Sequence, residues 1–351
     1  MISTAATLDP RVVFADPQIE MAHGAGGKAT RRLVEGLLVP AFGGSLLDSL
    51  DDAAQLEVDG VRLALTTDAF VVRPLRFPGG SIGDLAVNGT VNDLAVSGAT
   101  PLAILVSLVI EAGLPGDVLS EEVAVLAAAA RRAGVRVIGG DTKVVEHGKA
   151  DGLYVTTTGI GVMDPRLRLD ARGVRPGDRI ILSGHIGDHG IAVLLARADL
   201  ALDAADLRSD TRSVLPLVRA LVDADPAAVR WMRDPTRGGV ATALTELARD
   251  ARLGIVLFDD AVPIRDEVRG ACELLGLDPL HIANEGQFLA VVAPGAAERA
   301  LEAIRSVPGG EAAEIVGEVR EAPAGVVVAA NAYGGSRFVD MLVGDPLPRI
   351  C

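Results

Sequence analysis

Aspartates in the first half of the chain recur at the ends of predicted strands and in turns. Asp51 and Asp52 stand together in a turn, Asp68 follows a predicted strand, and Asp141 follows a glycine pair. Carboxylate oxygens are the ligands that Mg²⁺ requires when it is held beside a triphosphate. Aspartate is also a common turn residue, which is sufficient explanation for any one of these positions. The set taken together favours a magnesium site.

A predicted helix over Ser81–Ser97 carries polar residues within an apolar sequence. Asp84, Asn88 and Asn92 are four residues apart and share one face, while Asp93 points about 100° away. A mostly buried helix needs partners for such side chains, either protein groups or a ligand. The sequence leaves both possibilities open.

Two glycine-rich segments are candidates for binding phosphate. Gly24–Lys28 fits neither the dinucleotide fingerprint nor the Walker A pattern, yet its backbone N–H groups and Lys28 could still cradle a phosphate. Asp234–Gly239 precedes a predicted helix, and helix N-termini bind anions. The alternative for Asp234 is a plain helix cap.

Histidine and cysteine are sparse. His185 and His189 have the i, i+4 spacing of metal ligands on a helix, but their surroundings are too rich in glycine for a helix throughout, and we expect no zinc site. Cys272 lies among apolar residues and is predicted to be a core residue. Cys351 ends the chain and would place a thiol on a proline-stiffened arm; the alternative is a chance cysteine at a disordered end.

Composition narrows the class of protein. The 351 residues carry a net charge of −14, which argues against binding to nucleic acid or to anionic membranes. The longest apolar run, 102–110, is too short to cross a membrane. Two cysteines do not make a disulfide framework, so we expect a cytoplasmic protein. The length predicts two domains.

The predicted elements that position these residues alternate between strands and helices, which is typical of α/β domains. Helices are predicted at 30–38, 81–97, 120–134, 190–197, 211–222, 239–251, 268–275 and 296–306. Strands are predicted at 61–67, 69–72, 102–110, 135–138, 154–162, 179–182, 255–258, 288–292, 313–319 and 325–329. A dense turn cluster at 164–178 separates two domains. The predicted division is a glycine-loop segment 1–43, a first domain 44–163, a second domain 164–340 and a tail 341–351.

Several motifs together resemble those of a known superfamily. The segments Asp51–Ala54, Thr66–Asp68, Asn92–Asp93, Gly139–Lys143 and Asp234–Gly239 look like those of the ATP-binding superfamily of aminoimidazole ribonucleotide synthetase and selenophosphate synthetase. Within it, the hydrogenase maturation family HypE is similar in Phe77–Gly80, Gly187–Gly190, Asn284–Gly286 and the ending Pro346–Cys351. The likeness runs from Gly24 to Cys351. Selenophosphate synthetases carry Cys or selenocysteine in the glycine loop, which this chain lacks.

The resemblance implies a two-domain α/β (α+β) fold and a cytoplasmic homodimer. The first domain would bind ATP with Mg²⁺ and form a β-rich dimer interface, and the C-terminal tail would be flexible. A carbamoyl group placed on the terminal thiol by the carbamoyltransferase HypF would be dehydrated to a thiocyanate with cleavage of ATP. The cyano group would then pass to iron on the HypC–HypD complex, for the nickel–iron hydrogenase site.

Residue roles follow from the same resemblance. Cys351 would be the carrier nucleophile, Glu285 the general base, and Lys143 would stabilise charge on the transferring phosphoryl group, with Lys28 as a second cation. The resemblance places Mg²⁺ and the phosphates on Asp51, Asp68, Asp93 and Asp234, with Asn92, Asp141 and Thr142 nearby.

Two other classes of protein stay open. A small-molecule kinase on the same scaffold, such as a thiamine-monophosphate kinase, has no use for a terminal cysteine. A non-catalytic assembly module would present the tail to partners without hydrolysing ATP.

Overall fold

The computed structural model describes residues 13–42, 50–197, 206–344, 347 and 349–351. The segment before the first domain is helical, as predicted: α1 (Lys28–Leu33) passes through a π-helical turn (Val34–Leu38) into α2 (Val39–Phe42). Tail residues Asp345, Pro346 and Pro348 and the predicted boundary at 43/44 lie outside the described residues.

The first domain is built on a five-stranded sheet within the described ranges. Its strands are β1 (Ala54–Val58), β2 (Val61–Phe70), β5 (Ala99–Glu111), β6 (Arg136–Val145) and β7 (Leu153–Met163), in the order β1-β2-β7-β5-β6. A short ribbon of β3 (Arg76–Phe77) and β4 (Gly80–Ser81) leads into the helices. Only the β5–β6 pair is parallel. One face of this sheet packs on helix α3 (Ile82–Val96) and, behind it, α4 (Gly116–Ala133).

The two helices of the first domain begin and end where local chemistry allows. Ser81 caps α3 by accepting a hydrogen bond from the Gly83 N–H, and almost all of this helix is buried. Gly134 ends α4 with a positive φ of 70°. The predicted start of this helix at residue 120 is wrong. The helix begins one turn earlier, where Pro115 occupies the N-cap and ends the preceding loop.

The second domain repeats the alternation around a larger mixed sheet. Seven strands are seen in the described part: β8 (Arg179–Leu182), β9 (Val229–Arg233), β10 (Gly254–Phe258), β11 (Leu289–Val292), β12 (Glu314–Arg320), β13 (Val327–Ala330) and β14 (Ser336–Val339). Their order is β14-β13-β10-β12-β8-β11-β9. The helices are α5 (Asp188–Ala196), α6 (Leu215–Ala224), α7 (Gly239–Ala251), α8 (Asp266–Leu275) and α9 (Ala297–Arg305). The predicted α/β alternation is confirmed, but β1, β9 and β14 were not predicted.

Two strands of the first domain are longer than predicted. Asp68 lies inside β2, opposite Thr157, and Asp141 lies inside β6, opposite Ser107, because pairing with the neighbouring strands carries both strands past the polar residues. The predicted second strand 69–72 is therefore the end of β2. Neither aspartate stands after a strand end.

The two domains share a hydrophobic core. Phe70 and Ile104 from the first domain belong to the same buried cluster as Leu221 and Phe288 from the second, and α3 packs on α6. Cys272 is buried in this cluster, which confirms its predicted core position. The contact brings residues of β2 and α3 next to loops of the second domain. Within the described ranges, no helix is long and apolar enough to span a bilayer.

Candidate functional site

Three aspartates from distant parts of the chain converge where the domains meet. Asp52 precedes β1, Asp93 lies in the last turn of α3, and Asp234 directly follows β9. Each offers a carboxylate oxygen within 4.8 Å of those offered by the other two. The cluster therefore exists only when both domains are folded together.

Burial makes this cluster electrostatically costly. It raises the pKa of Asp234 to about 7 and the pKa values of Asp52 and Asp93 well above their usual range, and mutual repulsion adds to the effect. Arg233 partly offsets this through a 2.8 Å ion pair with Asp52. The Thr66 hydroxyl donates a 2.6 Å hydrogen bond to Asp93. One buried and two partly buried carboxylates, in excess of their cations, fit a hard divalent cation with oxygen ligands.

The predicted metal ligands need one correction. Asp51 was the predicted ligand, but its side chain is exposed, and Asp52 is the member of the pair that enters the cluster. The ion pair with Arg233 holds Asp52 inward. Asp68 lies beside the cluster, because its charge raises the pKa of both Asp93 and Asp234.

Asp234 is not a helix cap. The N-cap of α7 is Gly238, which has a φ of 76° and no room for a side chain, since an added Cβ would lie 2.2 Å from the Thr242 hydroxyl oxygen. No side chain caps this helix. Asp234 is thus left to face the other carboxylates.

Asn92 connects the two domains and does not face the cluster as a ligand. Its amide donates to the carbonyls of Arg212 (2.9 Å) and Glu285 (3.2 Å) and accepts from the Val214 N–H (2.8 Å). All of these partners are protein backbone. In this structure the amide of Asn92 is satisfied by backbone groups, as the alternative of a satisfied core amide requires.

Glu285 and the terminal thiol meet next to the aspartates. Glu285 is 3% exposed, and burial together with the charges of Asp234, Asp210 and Asp68 raises its pKa well above the usual range. The Cys351 thiol lies close enough to Glu285 and Arg237 for both side chains to shift its pKa. Burial and Glu285 raise the pKa of this thiol strongly, while Arg237 lowers it. The docked sulfur is therefore a neutral thiol.

The described part of the tail is docked. Leu347 is 8% and Ile350 5% exposed, where a flexible tail would expose both. Their apolar side chains pack into the shared core. The expectation of a flexible tail is thus corrected for these residues. Burial of the two side chains is the physical reason.

Arg237 joins the glycine loop to this site. Its guanidinium donates to the Gly24 carbonyl (3.2 Å), and its charge interacts with Cys351, Asp68 and Glu285. Lys28 points elsewhere and forms an ion pair with Asp340. The cation that lies between the glycine loop and this site is therefore Arg237, while Lys28 is paired with Asp340.

Asp141, Thr142 and Lys143 do not reach the cluster within one chain. They lie exposed on β6, which is separated from β2 by β7 and β5, about 14 Å at the usual spacing between strands. Asp141 and Thr142 line an open cleft of 490 Å³ between β6, β5 and α4. The family resemblance had placed these residues near the nucleotide, and that placement stays a prediction.

The sequence did not indicate Arg233, Arg237 and His189 as residues of this region. Asp52 belonged to the aspartate set that favoured a magnesium site, but the ligand role was assigned to its neighbour Asp51. Arg233 directly precedes the segment Asp234–Thr236, and Arg237 directly follows it. Two positive charges beside a predicted anion site could have indicated that both residues belong to this region. Nothing local indicated that His189 contacts the tail.

Comparisons with known proteins identify both domains of the chain. Residues 50–163 match the model described as "AIR synthase related protein, N-terminal domain", and residues 175–330 match its C-terminal domain. "Carbamoyl dehydratase HypE" of Azotobacter vinelandii is 48% identical over 341 residues, covering 97% of this chain and 99% of that protein.

Solved structures agree as well. A HypE–HypF complex matches with a TM-score of 0.83 and 42% identity, covering 88% of this chain and 99% of the other. HypE in complex with ATP matches with a TM-score of 0.79 and 42% identity, covering 95% and 100%. The chain therefore belongs to the HypE family of AIR synthase related proteins.

Proposed function

We propose that this protein uses ATP to dehydrate a carbamoyl group carried on the Cys351 thiol, leaving a thiocyanate. The observation that carries the proposal is the position of that thiol, which lies against the buried Glu285 carboxyl group and beside the aspartate cluster. A kinase acting on a diffusing metabolite has no need for the end of its own chain at this place.

The chemistry requires an activated oxygen and a base. An amide oxygen is a poor leaving group, so it must become a phosphate ester before the carbon–oxygen bond breaks. Two N–H protons leave the carbamoyl nitrogen as the C≡N bond forms, and ADP and phosphate are the other products. Glu285 is placed to accept a proton from that nitrogen, and its raised pKa suits a base that works near neutral pH.

We propose that the negative charge of the ATP phosphates would be neutralised by a cation held on the acidic cluster and by Arg237. We propose that Asp52, Asp93 and Asp234, with Asp68 beside them, would hold Mg²⁺ next to the ATP phosphates. A bound Mg²⁺ would supply charge stabilisation for the phosphoryl group. Arg237 adds a fixed positive charge that faces Cys351, Asp68 and Glu285. The role predicted for Lys143 stays a prediction, because this residue lies exposed on β6.

Because the docked thiol is neutral, the tail is expected to receive its carbamoyl group in one position and to present it for dehydration in another. A thiolate is the nucleophile, and the docked position disfavours it. We therefore propose that the tail leaves this pocket to receive its carbamoyl group from HypF and docks again for dehydration. A solved complex of HypE with HypF in a relative supports this partner. The HypC–HypD complex is the proposed acceptor of the cyano group.

We also propose a homodimer formed through the outer face of the first sheet. By strand register, Leu56, Leu63, Leu65, Ile160 and Leu105 share the face opposite α3. Leu56 and Leu105 are each 43% exposed. Apolar surface of this kind on a sheet is typical of a protein interface.

The substitution Leu105→Arg is expected to convert the dimer to monomers, because it places a charge on the sheet face that the proposed dimer would bury. Sedimentation velocity measures the change. Leu274→Arg is the matched control, since Leu274 is exposed on α8 and lies in the other domain. A Leu105→Arg protein that sediments like the wild type would contradict the proposed interface.

The mass of the C-terminal peptide tests the proposed reaction. After incubation with HypF and its carbamoyl donor, the peptide should gain one carbamoyl group on Cys351. Addition of MgATP should then remove the mass of one water, and addition of HypC–HypD should return the peptide to its original mass. A peptide that never changes in mass, in a protein that phosphorylates a small metabolite, would favour the kinase instead.

A further inference from the structure

Two side chains outside the aspartate cluster hold the docked tail by donating hydrogen bonds to its backbone carbonyls. The carbonyl of Ile350, next to Cys351, accepts a 3.0 Å hydrogen bond from Nε2 of His189, a residue that is fully buried in α5. The carbonyl of Arg349 accepts a 2.7 Å hydrogen bond from Nη2 of Arg197, at the other end of the same helix. One helix therefore holds two successive carbonyls of the tail.

The surroundings of His189 fix which nitrogen donates. A carbonyl oxygen only accepts, so Nε2 carries the proton, and Nδ1 accepts the hydroxyl proton of Ser209 at 2.8 Å. The edge of Phe77 packs on the ring, with centroids 5.5 Å apart. Burial lowers the pKa of His189 to about 4, which agrees with a neutral ring in this position. Both nitrogens are committed to protein partners, and the ring has little freedom to turn.

Small residues beside His189 admit the tail. Gly190 lies against Ile282 and Leu347: an added Cβ would come within 2.5 Å of the Ile282 methyl carbon and 3.2 Å of Leu347 Cδ1. Any larger residue at 190 would push the tail away from α5. The segment Gly187–Gly190 thus provides both the donor and the space.

We propose that His189 is a positioning residue that fixes the Cys351 carrier against Glu285 by donating a hydrogen bond to the peptide carbonyl that precedes it, with Arg197 as a second contact to the tail. This role rests on the proposed function for its catalytic meaning, but docking of the thiol is measurable without any reaction. The next residue after the held carbonyl is Cys351 itself, so loss of the bond lets the thiol swing out of contact with Glu285.

Alkylation of Cys351 by iodoacetamide, followed by the mass of the C-terminal peptide and without ATP or partners, measures docking directly. Only an undocked thiol ionises normally and reacts readily. His189→Asn keeps an acceptor for Ser209 but is too short to reach Ile350, and alkylation should be about tenfold faster than in the wild type. His189→Gln retains a donor at the Nε2 position and should stay within about twofold of the wild type.

The matched control is a second histidine that donates a hydrogen bond to a backbone carbonyl. His281 donates from Nε2 to the Asp340 carbonyl at 2.9 Å, upstream of the tail, and His281→Asn should leave alkylation unchanged. If His189→Asn does not fold, Arg197→Met, at the end of α5, should raise alkylation several-fold by itself. Equal rates in His189→Asn and the wild type, or equal increases in the Asn and Gln variants, would overturn the role of His189.

The dehydration step separates this role from a general loss of structure. In the carbamoylated His189→Asn protein, the rate constant at saturating ATP should fall about tenfold while the KM for ATP is unchanged, and His189→Gln should restore it. A parallel rise in the KM would indicate a distorted nucleotide site and contradict the proposal. If wild-type chain shows no dehydration at all, the proposed function fails, whereas the alkylation rates still decide the role of His189 in docking.

Discussion

Replacing Cys351 with alanine is expected to abolish formation of the thiocyanate completely while leaving the binding of ATP intact. The carrier atom is the sulfur itself, and no other thiol can substitute, since Cys272 is 1% exposed in the core of the second domain. The aspartate cluster and Arg237 come from other segments and lose no covalent part. Phosphate release that depends on HypF and the carbamoyl donor should therefore vanish.

Cys272→Ala is the control for this experiment. It removes the other cysteine of the chain and should retain the full rate, with a modest loss of stability from the cavity it leaves. Full activity of the Cys351→Ala protein on a small metabolite would instead show that the tail has no part in the reaction and would favour a kinase.

Glu285→Gln is expected to slow dehydration by about 10²- to 10⁴-fold, the usual contribution of a positioned base. The substitution preserves the shape of the side chain and removes only its ability to take a proton. Single-turnover conversion of the carbamoylated tail, followed by mass, measures the rate. Glu122→Gln is the matched control, because Glu122 is also buried (2% exposed) but pairs with Arg76 away from the site.

The wild type and the Glu285→Gln protein are expected to differ in how the rate of dehydration depends on pH. The folded protein raises the pKa of Glu285, so the base is protonated at low pH and the wild-type rate should increase as the pH rises through that pKa. The Glu285→Gln rate should lack this rise.

The folded state also binds this proton more tightly than the unfolded state does, so the carboxylate costs stability at high pH. Above neutral pH, the Glu285→Gln protein should therefore unfold at a higher temperature than the wild type. Equal pH profiles of the dehydration rate in the two proteins would exclude Glu285 as the base.

Local pattern was sufficient for the elements whose determinants are local. The helix α3 could be predicted because Ser81 caps it and apolar residues surround it, and Cys272 because its neighbours are apolar. The short strand β9 could not, because its pairing with β11 depends on residues almost sixty positions later. The ends of β2 and β6 were misplaced for the same reason, since their partners decide how far they extend.

The candidate site shows the same division. Asp93 and Asp234 were predicted as neighbours, and the structure brings them together. The choice of Asp52 over Asp51 depends on Arg233, which comes from the other domain. Asn92 looked like a ligand because its backbone partners near residues 212–214 and 285 are invisible to a helical pattern. Side-chain type was thus readable from the sequence, while the partner of each side chain required the fold.

The docked chain end also fixes how the site fills. The thiol is tethered a short distance beyond β14, so its effective concentration at Glu285 does not change when the protein is diluted. A free cysteine peptide would have to approach roughly millimolar concentration to compete with it. In the proposed reaction, each molecule presents a single carrier, and the product must leave that carrier before another cycle begins. The rate of the proposed cycle would then be set by how quickly the tail is loaded and unloaded.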